Sequence, residues 1–190
     1  MKVASMFSGI GGIDLGFMQA GFDIVWANEF DKDAATTYCL NLGSDHLLEQ
    51  DIREVDVSQI PDFDVLVAGF PCQPFSKMGF QKGFNDPRGT LFFQIVRVVE
   101  AKRPKIIFLE NVANLLEHDA GQSFLTVYNA LVPYGYAFRY KVMDAMEYGN
   151  IPQQRTRIFI VGFLDSEQCD RFSFPEEIEL TVNMNDILDR

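Results

Sequence analysis

Apolar runs and stretches of helical periodicity alternate along the chain. Residues 2–7, KVASMF, form a short apolar run, which predicts a buried strand. A Gly-rich turn follows, then a helix from about Gly12 to Gln19, with Ala20-Gly21 as its stop. Residues 23–28, DIVWAN, predict a second strand, and 31–43 a helix with Asp31 as N-cap and Gly43 as terminator. A short strand ending near Asp51-Ile52, a strand over 63–68 and another over 105–110 come next. Helices are predicted from Thr90 to Ala101 and from Gln122 to Val132, and the last two strands over 136–144 and 157–163.

Apolar strands alternating with helices predict an α/β fold, a doubly wound and mostly parallel sheet covered on both faces. Such sheets bind ligands at the carboxyl ends of their strands. The polar and reactive residues gather there. Ser8-Gly9 follows the first strand, Glu29 the second, Asp51 the third, Cys72 the fourth and Glu110 the fifth.

Composition narrows the classes. At 190 residues the chain is long enough for one domain with a sizeable core. No apolar run approaches the roughly 18 residues of a membrane span, and MKVASMFSG lacks the apolar stretch of a secretory signal. Three widely spaced cysteines without CxxC argue against a disulfide framework or a thiolate zinc site, and point to a reducing cytoplasm. With only two histidines, no metal site is expected. The net charge of −11 opposes nucleic-acid binding, but its distribution softens the objection. Residues 165–190 carry eight acidic and two basic groups, whereas Pro71 to Lys105 carry seven basic and two acidic. An ordinary solvated surface explains that basic stretch as well as a nucleic-acid face does.

The turn 7-FSGIGG-12 is not a dinucleotide fingerprint, because Asp14 stands where G-x-G-x-x-G needs its third glycine. Glu29 is placed to accept from ribose hydroxyls, Phe7 and Phe30 to sandwich an adenine, and Asp51 to accept from an adenine amino group. Together they point to a nucleoside cofactor without a pyrophosphate, which S-adenosylmethionine fits better than NAD. In 69-GFPCQPFS-76, Pro71 and Pro74 stiffen an extended loop, so that the Cys72 thiol is presented and not packed. Glu110 directly follows 106-IIFL-109, a setting that favours its protonated form. Arg155 and Arg157 stand two apart at a strand start and are expected on one face, as solvated edge residues or as contacts to a base or phosphate.

These segments, with 88-RGTLFF-93, 110-ENV-112 and 153-QQRTR-157, resemble in order the catalytic domain of the cytosine-C5 DNA methyltransferases, in the style of bacterial restriction–modification enzymes. The resemblance runs through almost the whole chain. It implies a Rossmann-like core that uses S-adenosylmethionine and releases S-adenosylhomocysteine. Phe7, Ser8, Gly9, Ile10 and Gly12 would form the cofactor turn, and Glu29, Phe30, Asp51 and Ile52 the adenosine positions. Gly69, Pro71 and Leu91 would complete the pocket. Cys72 would add to cytosine C6, Glu110 would bind N3, and Arg157 with Arg155 would fix the base, which must be flipped out of double-stranded DNA. Gln73, Ser76, Lys77, Lys82 and Arg88 would belong to a closing loop near the DNA backbone.

The resemblance also implies a boundary. Residues 1–164 form the catalytic and cofactor-binding domain, and the acidic 165–190 lead towards a target-recognition region that the sequence does not contain. A split enzyme with a second subunit, a fragment, and a naturally reduced protein are the three explanations. Where a further C-terminal helix would pack, exposed apolar surface is expected. A tRNA cytosine-C5 methyltransferase, a non-catalytic binding module and a Cys-dependent hydrolase are the alternatives, in descending order.

Overall fold

A computed structural model describes residues 1–71 and 91–188. The chain runs β1 (Lys2–Met6), α1 (Gly12–Gln19), β2 (Asp23–Glu29), α2 (Lys32–Leu42), β3 (Leu47–Glu49), β4 (Val65–Gly69), α3 (Leu91–Lys102), β5 (Ile106–Val112) and α4 (Gln122–Leu131). It continues through β6 (Ala137–Asp144), α5 (Ala145–Gly149), β7 (Thr156–Phe163), α6 (Ser166–Arg171) and α7 (Met184–Ile187). The strands form one seven-stranded sheet in the order β3-β2-β1-β4-β5-β7-β6. The pairs from β3 through β5 are parallel, while β7 runs antiparallel to both β5 and β6. The α/β class and mostly parallel sheet are as the sequence pattern predicts. The reversal of β7 follows from its short link to β6 through α5, which leaves no room for a crossover.

β1 and β4 lie in the middle and are buried on both faces, which explains their continuous apolar runs. On one face, Leu66, Ile107, Leu109, Ile158 and Ile160 pack beneath Phe92, Ile95 and Val99 of α3 and Val127 and Leu131 of α4. On the other, Val3, Val65 and Val67 lie with Tyr38 of α2 and with Ile13 and Phe17 of α1. Further along that second face, Cys169 of α6 covers Val161 and Phe163.

Between α1 and α6 the second face is incompletely covered. β5 is a central strand, yet Ile106, Phe108 and Glu110 are only half-buried, whereas Ile107, Leu109 and Asn111 opposite them are buried. The gap is an apolar groove of about 320 Å³, lined by Gly12, Gly16, Phe17 and Ala20 of α1 with Phe108 and Phe159. Gly12, Gly16 and Ala20 are four apart and form one ridge of small residues.

Residues 165–182 are tied at several points to β6 and to the segment that follows it. Asp165 caps α6, Lys141 donates to the Pro175 carbonyl, and the Ile178 amide donates to the Glu147 carbonyl. Among the described residues, no helix is long and apolar enough to cross a membrane.

Candidate functional site

The turn after β1 is built from backbone that only certain residues accept. Phe7 and Gly9 take positive φ, and Gly11 caps α1 at φ +92°. A Cβ on Gly11 would lie 2.4 Å from Leu42 Cδ1 and 2.9 Å from Tyr38 Cδ2, so α2 approaches the turn closely. A Cβ on Gly9 or Gly12 would meet nothing within 4 Å, so these two positions border open space. Ile10 and Phe30 stand exposed nearby, Phe30 at 71%. Phe7 is half-buried and leans on the main core.

Glu29 ends β2 and holds this turn. It accepts from the Gly9 amide at 2.7 Å, and from the Phe30 and Asp31 amides at 2.8 Å each. A carboxylate offers about four acceptor positions, so among the described residues one position is left for a further donor. Ser8 is fixed to the Asn28 carbonyl by its amide at 3.0 Å and its hydroxyl at 3.3 Å. Asn28, unassigned by the sequence reading, is buried and donates to the Leu48 and Gln50 carbonyls, which ties the end of β2 to β3.

β3 stops at Glu49, short of Asp51. Asp51 instead caps a 3-10 turn over Ile52–Glu54 and forms a close ion pair with Arg53, whose hydrogen bonds hold the carboxyl below the usual carboxylate range. The Ile52 side chain lies in the main core.

β5 extends beyond the predicted 105–110 to Val112, so Glu110 stands within a strand and not after one. Its carboxylate is 3.0 Å from Arg157 Nε, with both side chains largely shielded from solvent. Val112 is opposite Arg157 and Glu110 opposite Phe159, so the ion pair is a diagonal one across the antiparallel ladder. Burial raises the Glu110 carboxyl above its ordinary value, and Arg157 and then Arg155 pull it back without cancelling the rise. Arg155 precedes β7 and is exposed; its backbone carbonyl accepts from the Ala145 amide. Gly69 pairs with Glu110, and a Cβ there would lie 3.5 Å from both Glu110 Oε2 and Ile13 Cδ1. Glu110 and Arg157 are thus gathered beside β4's end and the start of α1.

Pro71, half-buried, precedes a segment outside the described residues that contains Cys72, Gln73, Ser76, Lys77, Lys82 and Arg88. Leu91 follows it as the half-buried first residue of α3. The entry to that segment is anchored. Asn111 is buried, donates to the Phe70 carbonyl at 3.1 Å and accepts from the Val112 amide. The middle letter of 110-ENV-112 was the available signal for this anchor.

The basic stretch takes on a different meaning in the structure. Arg97 donates to the Val55 and Ile52 carbonyls, and Lys102 to the Ile60 carbonyl. Lys105 pairs with Asp64 at 2.7 Å, and Arg103 lies over the Tyr134 ring. These four cations link α3 and its flanks to neighbouring segments, with Arg103 and Lys105 also exposed to solvent.

Comparison with known proteins decides the family. The family model for C-5 cytosine-specific DNA methylase matches residues 1–190. The chain belongs to this family. The type II methyltransferase M.Bsp6I of a Bacillus species is 50% identical over 190 residues, covering 99% of this chain and 60% of that protein. M.HhaI of Haemophilus parahaemolyticus is 43% identical over 188 residues, covering 99% and 57%. The chain therefore spans about three-fifths of the length of these relatives. Among solved structures, S. pombe Dnmt2 methyltransferase aligns over 86% of this chain and 50% of its own, with a TM-score of 0.68 and 28% identity.

Proposed function

We propose that the chain is the catalytic core of an S-adenosylmethionine-dependent methyltransferase acting on C5 of cytosine in DNA. The observation that carries this reading is the Glu110–Arg157 pair set beside the open Gly-rich turn, within a chain of the cytosine-C5 family. The residues present suit the cofactor. Gly9 and Gly12 leave space against the turn, Glu29 keeps an acceptor position for a hydroxyl, and Phe30 offers an exposed ring. When bound, S-adenosylmethionine supplies the methyl group.

The Cys72 thiolate adds to C6 of an extrahelical cytosine, which turns C5 into a nucleophile. Glu110, its carboxyl shifted towards the neutral form by burial, gives or shares a proton at N3 as the adduct forms. Arg157 keeps Glu110 in place and, with Arg155, orients the base. After C5 takes the methyl group its proton passes to solvent water, the bond from Cys72 sulfur to C6 breaks to release the thiolate, and the N3 proton returns to Glu110, so that the aromatic ring is restored.

Target recognition, in this reading, resides on polypeptide outside these 190 residues, either further along a longer chain or on a second subunit. The apolar groove between α1 and α6 supports this, because a helix laid on the Gly12, Gly16 and Ala20 ridge would complete the second layer. The DNA assignment is favoured over tRNA by the type II methyltransferases among the relatives. Calorimetric titration with S-adenosylmethionine tests the cofactor site. Glu29→Ala is expected to weaken binding about tenfold, the loss of one hydrogen bond to a charged group, and equal affinity would remove Glu29 from the site.

A further inference from the structure

Asp14 is the most deeply buried carboxylate of the described residues, at 1% exposure, and the cytosine chemistry makes no use of it. It lies in the first turn of α1, three residues after the cap Gly11. Ser5 of β1 donates to its Oδ1 at 2.6 Å, and the Tyr38 hydroxyl of α2 donates to its Oδ2 at 2.8 Å. The Tyr38 hydroxyl also lies 3.0 Å from His46 Nε2. A phenol has one proton. With that proton given to Asp14, the hydroxyl oxygen is left to accept, and His46 must carry its proton on Nε2. The hydrogen bonds therefore run one way, from His46 through Tyr38 to Asp14.

The residues joined lie on β1, α1 and α2 and just before β3, the elements that surround the Gly-rich turn. Ser5 is two residues before Phe7, Asp14 begins the helix after the turn, and the Tyr38 ring is what a Cβ on Gly11 would strike. The His46 carbonyl accepts from the Ala27 amide at 2.8 Å, just before β2 reaches Asn28 and Glu29. A carboxylate is costly to bury, and an apolar residue would fill the helix–sheet seam at no such cost. Its placement behind the turn has a use if it sets the turn's geometry.

We propose that His46, Tyr38 and Asp14 form a positioning relay that holds the Gly-rich turn in its binding conformation, without touching the ligand. The proposal rests on the cofactor reading above and assigns residues to it that are not at its surface. Burial pushes the Asp14 carboxyl up, so its two donors are what keep it an acceptor.

The test compares wild type with Tyr38→Phe, His46→Ala and His46→Gln, well below their unfolding temperatures. Titration with S-adenosylhomocysteine measures affinity, and amide hydrogen exchange of residues 8–12 without ligand measures the turn itself. Tyr38→Phe keeps the ring against Gly11 and removes only the relay. It and His46→Ala are expected to bind about tenfold more weakly, with turn exchange about tenfold faster, as loss of a charge-assisted hydrogen bond entails. The amide of His46→Gln can donate to Tyr38, so this variant is expected to restore both. A lowered melting temperature with unchanged affinity and unchanged exchange would make the network merely structural and overturn the proposal. Failure of wild type to bind would defeat the cofactor reading instead, and the exchange comparison would still decide whether the relay holds the turn.

Discussion

Glu110 and Arg157 show how two side chains set each other's state. The carboxyl value is raised in the fold by burial, against the pull of Arg157 and Arg155. Below its unfolded value the group is neutral in both states and costs nothing. As pH rises the unfolded chain ionises first, so stability is lost up to the raised folded value. Glu110→Gln lacks this group, so wild type should lose stability relative to it as pH rises above the ordinary carboxylate range, as denaturant midpoints would report. A pH-independent difference would contradict the shift. The same substitution is expected to slow methyl transfer about a hundredfold with cofactor affinity unchanged, and full activity would remove Glu110 from the chemistry. Arg157→Ala strands a half-buried carboxylate, and about 1–2 kcal/mol of destabilisation is expected by the same denaturation. Glu110 was legible from the apolar run before it. Asn28 and the Asp14 network were not, because their work is to bond backbone or one another across tens of residues.

At the scale of elements, α1 was read to the residue and α2 with both its caps, since glycine and Asp31 mark their ends. The short helices α5, α6 and α7 were not read. With four to six residues they carry too little periodicity, although the capping Asp144, Asp165 and Asn183 were visible. The reversed β7 was also unread, as strand direction leaves no trace in an apolar run. Two glycines of the α1 region separate backbone need from packing need. Gly11→Ala meets both a positive φ and the side chains of α2, and should cost about 2–3 kcal/mol. Gly16 is helical with open space beyond it, so Gly16→Ala should stabilise the isolated chain by about 0.5–1 kcal/mol. Thermal or chemical unfolding of the two variants checks both signs.

Over the whole molecule, one face of the sheet is closed by α3 and α4, and the other is open between α1 and α6. That asymmetry places the apolar groove beside the Glu110–Arg157 pair, so whatever covers it would also wall the reaction site. The groove is exposed apolar surface on that second face, and Arg97, Lys102, Arg103 and Lys105 each contact a neighbouring segment. If recognition resides on other polypeptide, as proposed, the chain should perform the chemical step slowly and without sequence preference. The most direct measurement is transfer of a labelled methyl group from S-adenosylmethionine to mixed-sequence DNA and to bulk tRNA in parallel, by wild type and Cys72→Ser. The account predicts label at cytosine C5 of DNA that vanishes in Cys72→Ser. Label confined to tRNA, label that survives the substitution, or no label above the Cys72→Ser background would each contradict it.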